Sequence, residues 1–230
     1  EYLEKIGVKF GANLNAGTSW DMTSYMMKDV PTSREGIIDS ALLILHDWSH
    51  FIALQPEEID SERGVIMEEL RTRDASWRST MKMLQALGKG TKYEHRNLIG
   101  YLDGLKGFQH KELEDFYNTW YRPDYQAVVI VGDIDVDAVE NKLKTLMSDI
   151  PAPAADAAQK EVITVPDNEE PIISIYTDPE MQGSRVQVFV KRPAVPEQYN
   201  NLVYGEMLDV VQAYMTTMEN ARLQEISMQP

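Results

Sequence analysis

Cysteine is absent from the 230 residues, basic side chains are few, and no apolar run exceeds five residues. Each lack excludes something. Without cysteine there are no disulfides, thiolate zinc sites or thiol nucleophiles, so a metal here must be held by His, Asp or Glu. Lys and Arg number 22 against 37 Asp and Glu, a net charge of −15 with no basic block. That argues against a nucleic-acid binder, whose affinity comes from cations neutralising phosphates, and against docking on an anionic membrane. The longest apolar stretches, Ala41–Leu45 and Ala127–Val131, fall far short of the ~20 residues that span a bilayer. No secretory signal is visible. The chain opens Glu1-Tyr2-Leu3-Glu4 without Met and ends at Pro230 in helical-looking sequence, so it is expected to be a piece of something longer.

What is present reads as α+β. Val8–Asn15 and Thr23–Val30 have strand composition around Gly11, Gly17 and Asp21. Thr32 and Glu35 form a T-x-x-E capping box, after which Ile37, Ala41, Ile44, Leu45, Trp48 and Ile52 recur at helical spacing. Pro56 suits the first turn of a second helix, with Glu57 and Glu58 facing its dipole, and the pattern continues through Ile59, Ile66 and Leu70 toward Leu87, closed by Gly88. Residues 91–107 read as an irregular connection, Lys111–Trp120 as a helix, Ala127–Val131 as a buried strand and Asp135–Met147 as a helix. Pro151–Gln159 has linker composition. Beyond it Ile172–Thr177 and Arg185–Lys191 read as strands, and Gln198–Ile226 as a long Met-rich helix.

The most informative segment is Glu62-Arg63-Gly64-Val65-Ile66-Met67-Glu68-Glu69-Leu70-Arg71. Positions seven apart fall about 20° from each other on a helix, so Glu62 and Glu69 share a stripe beside Ile59, Ile66 and Leu70, with Glu68 turned about 100° toward solvent. A carboxylate at the edge of a buried face needs a cation, a donor or a metal. Glu69 is thus a better ligand candidate than Glu68, although spacing alone favours a salt bridge with Arg63, Arg71 or Arg73. His46-Asp47-Trp48-Ser49-His50 puts two histidines at i and i+4. It lacks the Glu a metalloprotease base requires, and the helical wheel turns both rings to the polar side, so solvated surface histidines are expected. His95 and His110 stand alone and suggest hydrogen bonding, and the twelve Met residues suggest core filler. No phosphate loop, nucleophile elbow or cofactor fingerprint is present.

Four ordered stretches together resemble the zinc metallopeptidases of the pitrilysin, insulin-degrading enzyme and mitochondrial processing peptidase family. They are Asn15-Ala16-Gly17-Thr18-Ser19 with Thr23 and Tyr25; Glu62-Arg63 with Glu69; Trp120-Tyr121-Arg122-Pro123-Asp124; and Val129-Ile130-Val131-Gly132-Asp133. The resemblance implies a sheet with long helices on one face over residues 1–150, a linker at 151–168, and the start of a second related domain at 169–230. It implies Zn2+ as cofactor, Glu69 as the distal zinc ligand, Glu62 as a supporting carboxylate that orients it, and Asn15, Ala16 and Gly17 along a bound peptide strand. Gly17 stands where the family usually has an aromatic residue. The family's H-x-x-E-H, which supplies two His ligands and the general base, occurs nowhere in these residues, and is expected just before a helix that Glu1–Ile6 finishes. These residues alone are therefore expected neither to bind zinc tightly nor to cleave peptides.

The implied activity is hydrolysis of peptides enclosed between two similar halves, so the expected partners are a peptide and a second homologous half. An acidic chamber lining would favour basic peptides. The bacterial members resembled point to a periplasmic or extracytoplasmic location. Two other readings stay open: a catalytically silent member that binds peptide or scaffolds an active half, and an acidic α+β interaction domain sharing only the fold.

Overall fold

In a computed structural model, which describes residues 8, 11, 13–33, 36–193, 195–199 and 202–228, the chain divides into two compact units, residues 1–182 and 183–230. The helix end expected at Glu1–Ile6 and the capping-box residue Glu35 lie outside the described residues.

The first unit opens with an antiparallel hairpin. β1 (Leu14–Thr18) pairs with β2 (Thr23–Met27), from Leu14 opposite Met27 to Thr18 opposite Thr23. β2 is shorter than its composition suggested, β1 lies later than Val8–Asn15 with Gly17 inside it, and the turn is closed by Ser19 N–H donating to Met22 O at 2.8 Å. Leu14 is the buried residue of β1. Helix α1 spans Ile37–His50, and its N-cap is Gly36 in the left-handed region, φ 76°, rather than Thr32. Gly takes that conformation at no steric cost, which fixes the helix start five residues into the expected segment.

Helix α2 (Pro56–Thr72) carries Pro56 in its first turn, as expected. It does not run to Leu87. Arg73 is extended, and Asp74 caps a new helix, α3 (Ala75–Leu87), by accepting from Trp77 N–H at 2.8 Å. An Asp side chain offers the backbone a competing partner, so one helical period became two helices. Gly88 ends α3, and a Cβ there would lie 2.8 Å from Tyr93 Cβ.

The connection read as irregular contains a 3-10 turn, Lys92–Glu94, and a short helix α4, Leu102–Gly107, which packs on α2. Helix α5 (His110–Trp120) starts with a reciprocal capping box between Gln109 and Glu112. Helix α6 (Val136–Leu146) is capped by Asp135 accepting from Ala138 N–H, runs into a 3-10 turn at Met147–Asp149, and packs on α1.

Leu42, Tyr117 and Val139 are among the buried residues, and an aromatic cluster draws on three elements. Tyr25 lies 5.5 Å from Trp48, its hydroxyl is 3.0 Å from that of Tyr121, and Tyr121 stacks 4.4 Å from Tyr117. Burial, followed by the Tyr121 hydroxyl, pushes the Tyr25 phenol well above its ordinary pKa. The Trp-Tyr-Arg-Pro-Asp stretch therefore has a structural task. Beyond Tyr121, the buried Arg122 donates to Ala158 O at 2.6 Å and lies over the Tyr125 ring.

Two expectations are overturned. Ala127–Val131 joins no sheet among the described residues, and Val129 and Val131 are 83% and 92% exposed. Ile172–Thr177 and Arg185–Lys191 likewise join no sheet among the described residues, with Ile173, Ile175, Val186 and Val188 exposed. β-Branched composition favours extended backbone, but a strand becomes a buried sheet member only when another strand supplies its hydrogen bonds, and none of the described residues does so here. The sheet among the described residues is two-stranded, and the class is α+β. In the second unit, α7 (Val203–Ser227) confirms the long helix with a later start, and Gly205 is the residue it buries. No helix among the described residues is long and apolar enough to cross a membrane.

Candidate functional site

Helix α2 places Glu62 and Glu69 about 10 Å apart along its axis. Ile59, Ile66 and Leu70 are half-buried beside them, and no residue of α2 is fully buried. The contrast expected between Glu69 and Glu68 is therefore small, their side chains being 45% and 58% exposed. Their partners differ. Glu68 takes a two-point grip from Arg71, through Nε at 2.8 Å and Nη2 at 2.5 Å, which holds its carboxyl below the usual range. Glu69 Oε1 accepts from Arg73 Nη2, and among the described residues no hydrogen bond reaches its Oε2.

Arg73 sits at the bend between α2 and α3. Its carbonyl accepts from Arg78 Nη1 at 2.7 Å, its guanidinium lies 5.4 Å over Trp77, and its Nε is buried without a hydrogen-bond partner. Arg78 in turn donates to Asp178 at 2.8 Å and Glu180 at 2.6 Å. The Tyr176 hydroxyl, the Glu180 N–H and Arg78 together push the Asp178 carboxyl down to about 2.

Glu62 makes no hydrogen bond to Glu69. It lines a groove of about 710 Å³ walled by Leu54, Ile59, Ile66, Phe108 and Leu113. Leu54 has φ 45° at the turn between α1 and α2, a strained conformation costing roughly 1–2 kcal/mol for a residue with a side chain. Arg63, the second residue of the Glu-Arg pair, fastens α2 to its neighbours. It donates to the Leu105 carbonyl and, at 3.1 Å, to the Phe108 carbonyl, with its guanidinium 3.8 Å over the Phe108 ring. His110 reaches Asp60 on the same helix at 2.9 Å, the hydrogen-bonding role expected of it.

Asn15, Ala16 and Gly17 lie on exposed β1, opposite Met26, Tyr25 and Ser24. Among the described residues β1 pairs along one edge only. Asn15 Oδ1 accepts from the Ala16 N–H at 2.8 Å, and a Cβ at Gly17 would meet nothing within 4 Å.

The histidine pair corrects the helical wheel. His46 is buried, not solvated: Nε2 lies 2.9 Å from Asp149 and Nδ1 3.2 Å from Asp47, with the ring 4.6 Å from Phe51. His50 Nδ1 lies 3.0 Å from Tyr121 O. α6 and its trailing turn cover the face of α1 that a one-sided amphipathic reading leaves to solvent. Burial lowers the His46 pKa, but the hydrogen bonds to Asp149 and Asp47 outweigh it and raise the value above 6.5.

Among the described residues no three His, Cys, Asp or Glu side chains are placed to share a metal ion. A catalytic zinc needs three protein ligands, and the described residues bring no such set together. Sequence reasoning named Arg73 among three candidate partners, and the i to i+4 spacing was the signal. The groove and the aromatic cluster gave none.

The chain is 30% identical over 228 residues to the probable zinc protease PqqL of Escherichia coli, covering 98% of this chain and 24% of that protein. It is 33% identical over 195 residues to the zinc protease PQQL-like of Arabidopsis thaliana, covering 84% of this chain and 20% of that one. The solved structure of the first half of the periplasmic protease PqqL from Escherichia coli superposes with a TM-score of 0.66 at 32% identity, over 73% of this chain and 35% of that chain. This chain thus spans about a quarter or less of these two relatives' length. Residues 1–100 match the family model for insulinase, peptidase family M16, and residues 107–226 the model described as the peptidase M16 inactive domain. The chain belongs to peptidase family M16, the insulinase family.

Proposed function

We infer that this chain is part of a zinc-dependent metalloendopeptidase that hydrolyses peptides in an enclosed chamber, with Glu69 as the distal zinc ligand. The observation that carries the reading is Glu69 itself: the residue named by the helical stripe and by the family resemblance presents a half-exposed carboxylate, held by Arg73 through Oε1 and with no hydrogen bond to Oε2 among the described residues. Zinc, when bound, would polarise a scissile carbonyl and lower the pKa of a water. The two histidines and the general base would come from an H-x-x-E-H outside these 230 residues. This chain alone would not assemble the site. Glu62 would support the site from the groove. Asn15, Ala16 and Gly17 on the one-edged strand β1 would pair with an extended substrate, displacing the local Asn15 contact on the Ala16 N–H. A second homologous half would close the chamber. The Escherichia coli relative is a periplasmic protease, which supports the same location here.

The match of residues 107–226 to a domain described as inactive favours one other reading, a silent member that binds peptide or scaffolds an active half. The sequence preceding Glu1 separates the two: an intact H-x-x-E-H supports the enzyme, a degenerate one the scaffold. In the longer protein, Glu69→Gln and Glu62→Gln are assayed on a fluorogenic peptide. Loss of turnover in Glu69→Gln is expected, and full turnover there would refute the ligand assignment.

A further inference from the structure

The tip of the β1–β2 hairpin is Trp20 and Asp21, between Ser19 and Met22. Two-residue hairpin turns close well when one or both central residues take positive φ, because such turns follow the right-handed twist of the strands. Neither Trp20 nor Asp21 does so: among the described non-glycine residues positive φ occurs at Asp29 and Leu54. This turn is therefore a poor closure by itself, and a lone hairpin of two short strands is marginal in water. Its tip needs an outside hold.

The segment that starts with the 3-10 turn at Lys92–Glu94 supplies it. Asp21 Oδ2 accepts from the Tyr93 hydroxyl at 2.6 Å, and Arg96 Nη1 donates to the Trp20 carbonyl at 3.0 Å and reaches Asp21 Oδ1 at 3.4 Å. Lys160 Nζ donates to the Asp21 carbonyl at 3.3 Å. The Trp20 and Tyr93 rings meet edge to face at 6.2 Å, and the Arg96 guanidinium lies 5.6 Å over Tyr93. The Arg96 to Asp21 ion pair is the weakest of these contacts. What separates the tip from an exposed pair such as Lys111 and Asp115 is that the carboxylate, both carbonyls and the indole ring of two adjacent residues are all engaged at once. Along the strand, β2 is fixed a second time, through the Tyr25 hydroxyl on Tyr121 and the Tyr25 ring beside Trp48.

The register shows what this mount presents. Ser19 N–H donates to Met22 O and Lys28 N–H to Asn13 O. Hydrogen-bonded pairs alternate along an antiparallel ladder, so Asn15 and Gly17 bond to Met26 and Ser24, and the N–H and C=O groups of Leu14, Ala16 and Thr18 turn to the open edge. Asn15 Oδ1 on the Ala16 N–H and Gly11 N–H on the Leu14 carbonyl agree with that direction. Thr18 directly precedes the turn, so loosening of the tip reaches this open-edge residue first.

The geometry points to Tyr93 and Arg96 as positioning residues for a peptide strand, which clamp Trp20 and Asp21 and so hold the open edge of β1, at Ala16 and Thr18, ready to pair with an extended peptide. An edge that must first be ordered loses affinity by the cost of that ordering, whereas a clamped one does not. The inference rests on the reading of β1 as the peptide-pairing strand, and it is independent of the metal.

The test measures KM and kcat on a fluorogenic peptide in the longer protein carrying this chain, with amide hydrogen exchange on each variant. Arg96→Ala and Tyr93→Phe are expected to raise KM about 3–10-fold, the worth of one or two lost hydrogen bonds, with kcat unchanged, as for a loss of uniform binding. Arg96→Lys should recover part of the change, and Lys111→Ala, which breaks an ordinary surface pair, should show none. Exchange should quicken at the Gly17 and Ser24 amides and not in α5. Thr18→Pro tests the edge itself: it removes an outward N–H at a position where an edge strand tolerates proline, and is expected to raise KM. A raised KM in Thr18→Pro with unchanged KM in Arg96→Ala and Tyr93→Phe would overturn the clamp and leave the edge reading intact. Unchanged exchange at Gly17 and Ser24, or a fall in kcat at constant KM, in the clamp variants would also overturn the clamp. Unchanged KM in Thr18→Pro would overturn both.

Discussion

Replacing Arg63 tests how α2 is held in place. The side chain is 14% exposed and donates to two carbonyls, of Leu105 at the end of α4 and of Phe108 before α5, while its guanidinium covers the Phe108 ring at 3.8 Å. Hydrogen bonds from a charged donor contribute about 1.5–3 kcal/mol each, and a cation over an aromatic face about 0.5–2 kcal/mol. The groove admits water to part of this contact, so the lower ends apply, and Arg63→Ala is expected to cost about 3 kcal/mol. For a chain of this size that corresponds to roughly 6–12 °C in thermal midpoint. Arg63→Lys, a point charge that cannot span both carbonyls, should lose about half as much. Urea denaturation followed by far-UV circular dichroism gives the size, and amide exchange gives the place: protection should fall first over residues 102–110. A loss below about 1 kcal/mol in Arg63→Ala, or Arg63→Lys equal to the unmodified chain, would refute the assignment of Arg63 as the fastener of α2.

His46 should make stability depend on pH. Its folded pKa lies above 6.5 through Asp149 and Asp47, so its contribution is full below the unfolded value and is lost as pH rises through the folded one. Thermal midpoints from pH 5 to 9 should show this step in the unmodified chain and not in His46→Gln, and identical profiles would contradict it. Gly88→Ala should destabilise by about 1–3 kcal/mol, because its Cβ would lie 2.8 Å from Tyr93 Cβ and 3.1 Å from the Glu94 nitrogen, where backbone must move. A neutral thermal shift for Gly88→Ala would show that the 3-10 turn yields freely.

The helices were legible where apolar spacing and punctuation agreed. Pro56 and Gly88 marked the outer ends of the α2 to α3 segment, but the break between them depended on one side chain, Asp74, choosing to cap rather than to continue. Periodicity averages over such a choice. The wheel for α1 assumed a single buried face, and α6 buried a second, which is why His46 was misplaced. Val129 and Val131 show the complementary limit: β-branched composition foretells extended backbone but not the neighbour that completes a sheet. At the site, the stripe of Glu62 and Glu69 was readable from spacing. Arg73, at i+4 from Glu69, had the favourable spacing, but the grip of Arg71 on Glu68 and of Arg63 on the Leu105 and Phe108 carbonyls was not readable from it. The Tyr25, Trp48, Tyr117 and Tyr121 cluster draws on three elements far apart in the chain and leaves no local pattern.

The central claim is that Glu69, and not its neighbour Glu68, is the carboxylate that meets the metal. Zinc stoichiometry of the purified longer protein by elemental analysis, compared among the unmodified form, Glu69→Gln and Glu68→Gln, tests it most directly. The account predicts zinc retained in Glu68→Gln and lost in Glu69→Gln. Full zinc occupancy in Glu69→Gln would contradict it.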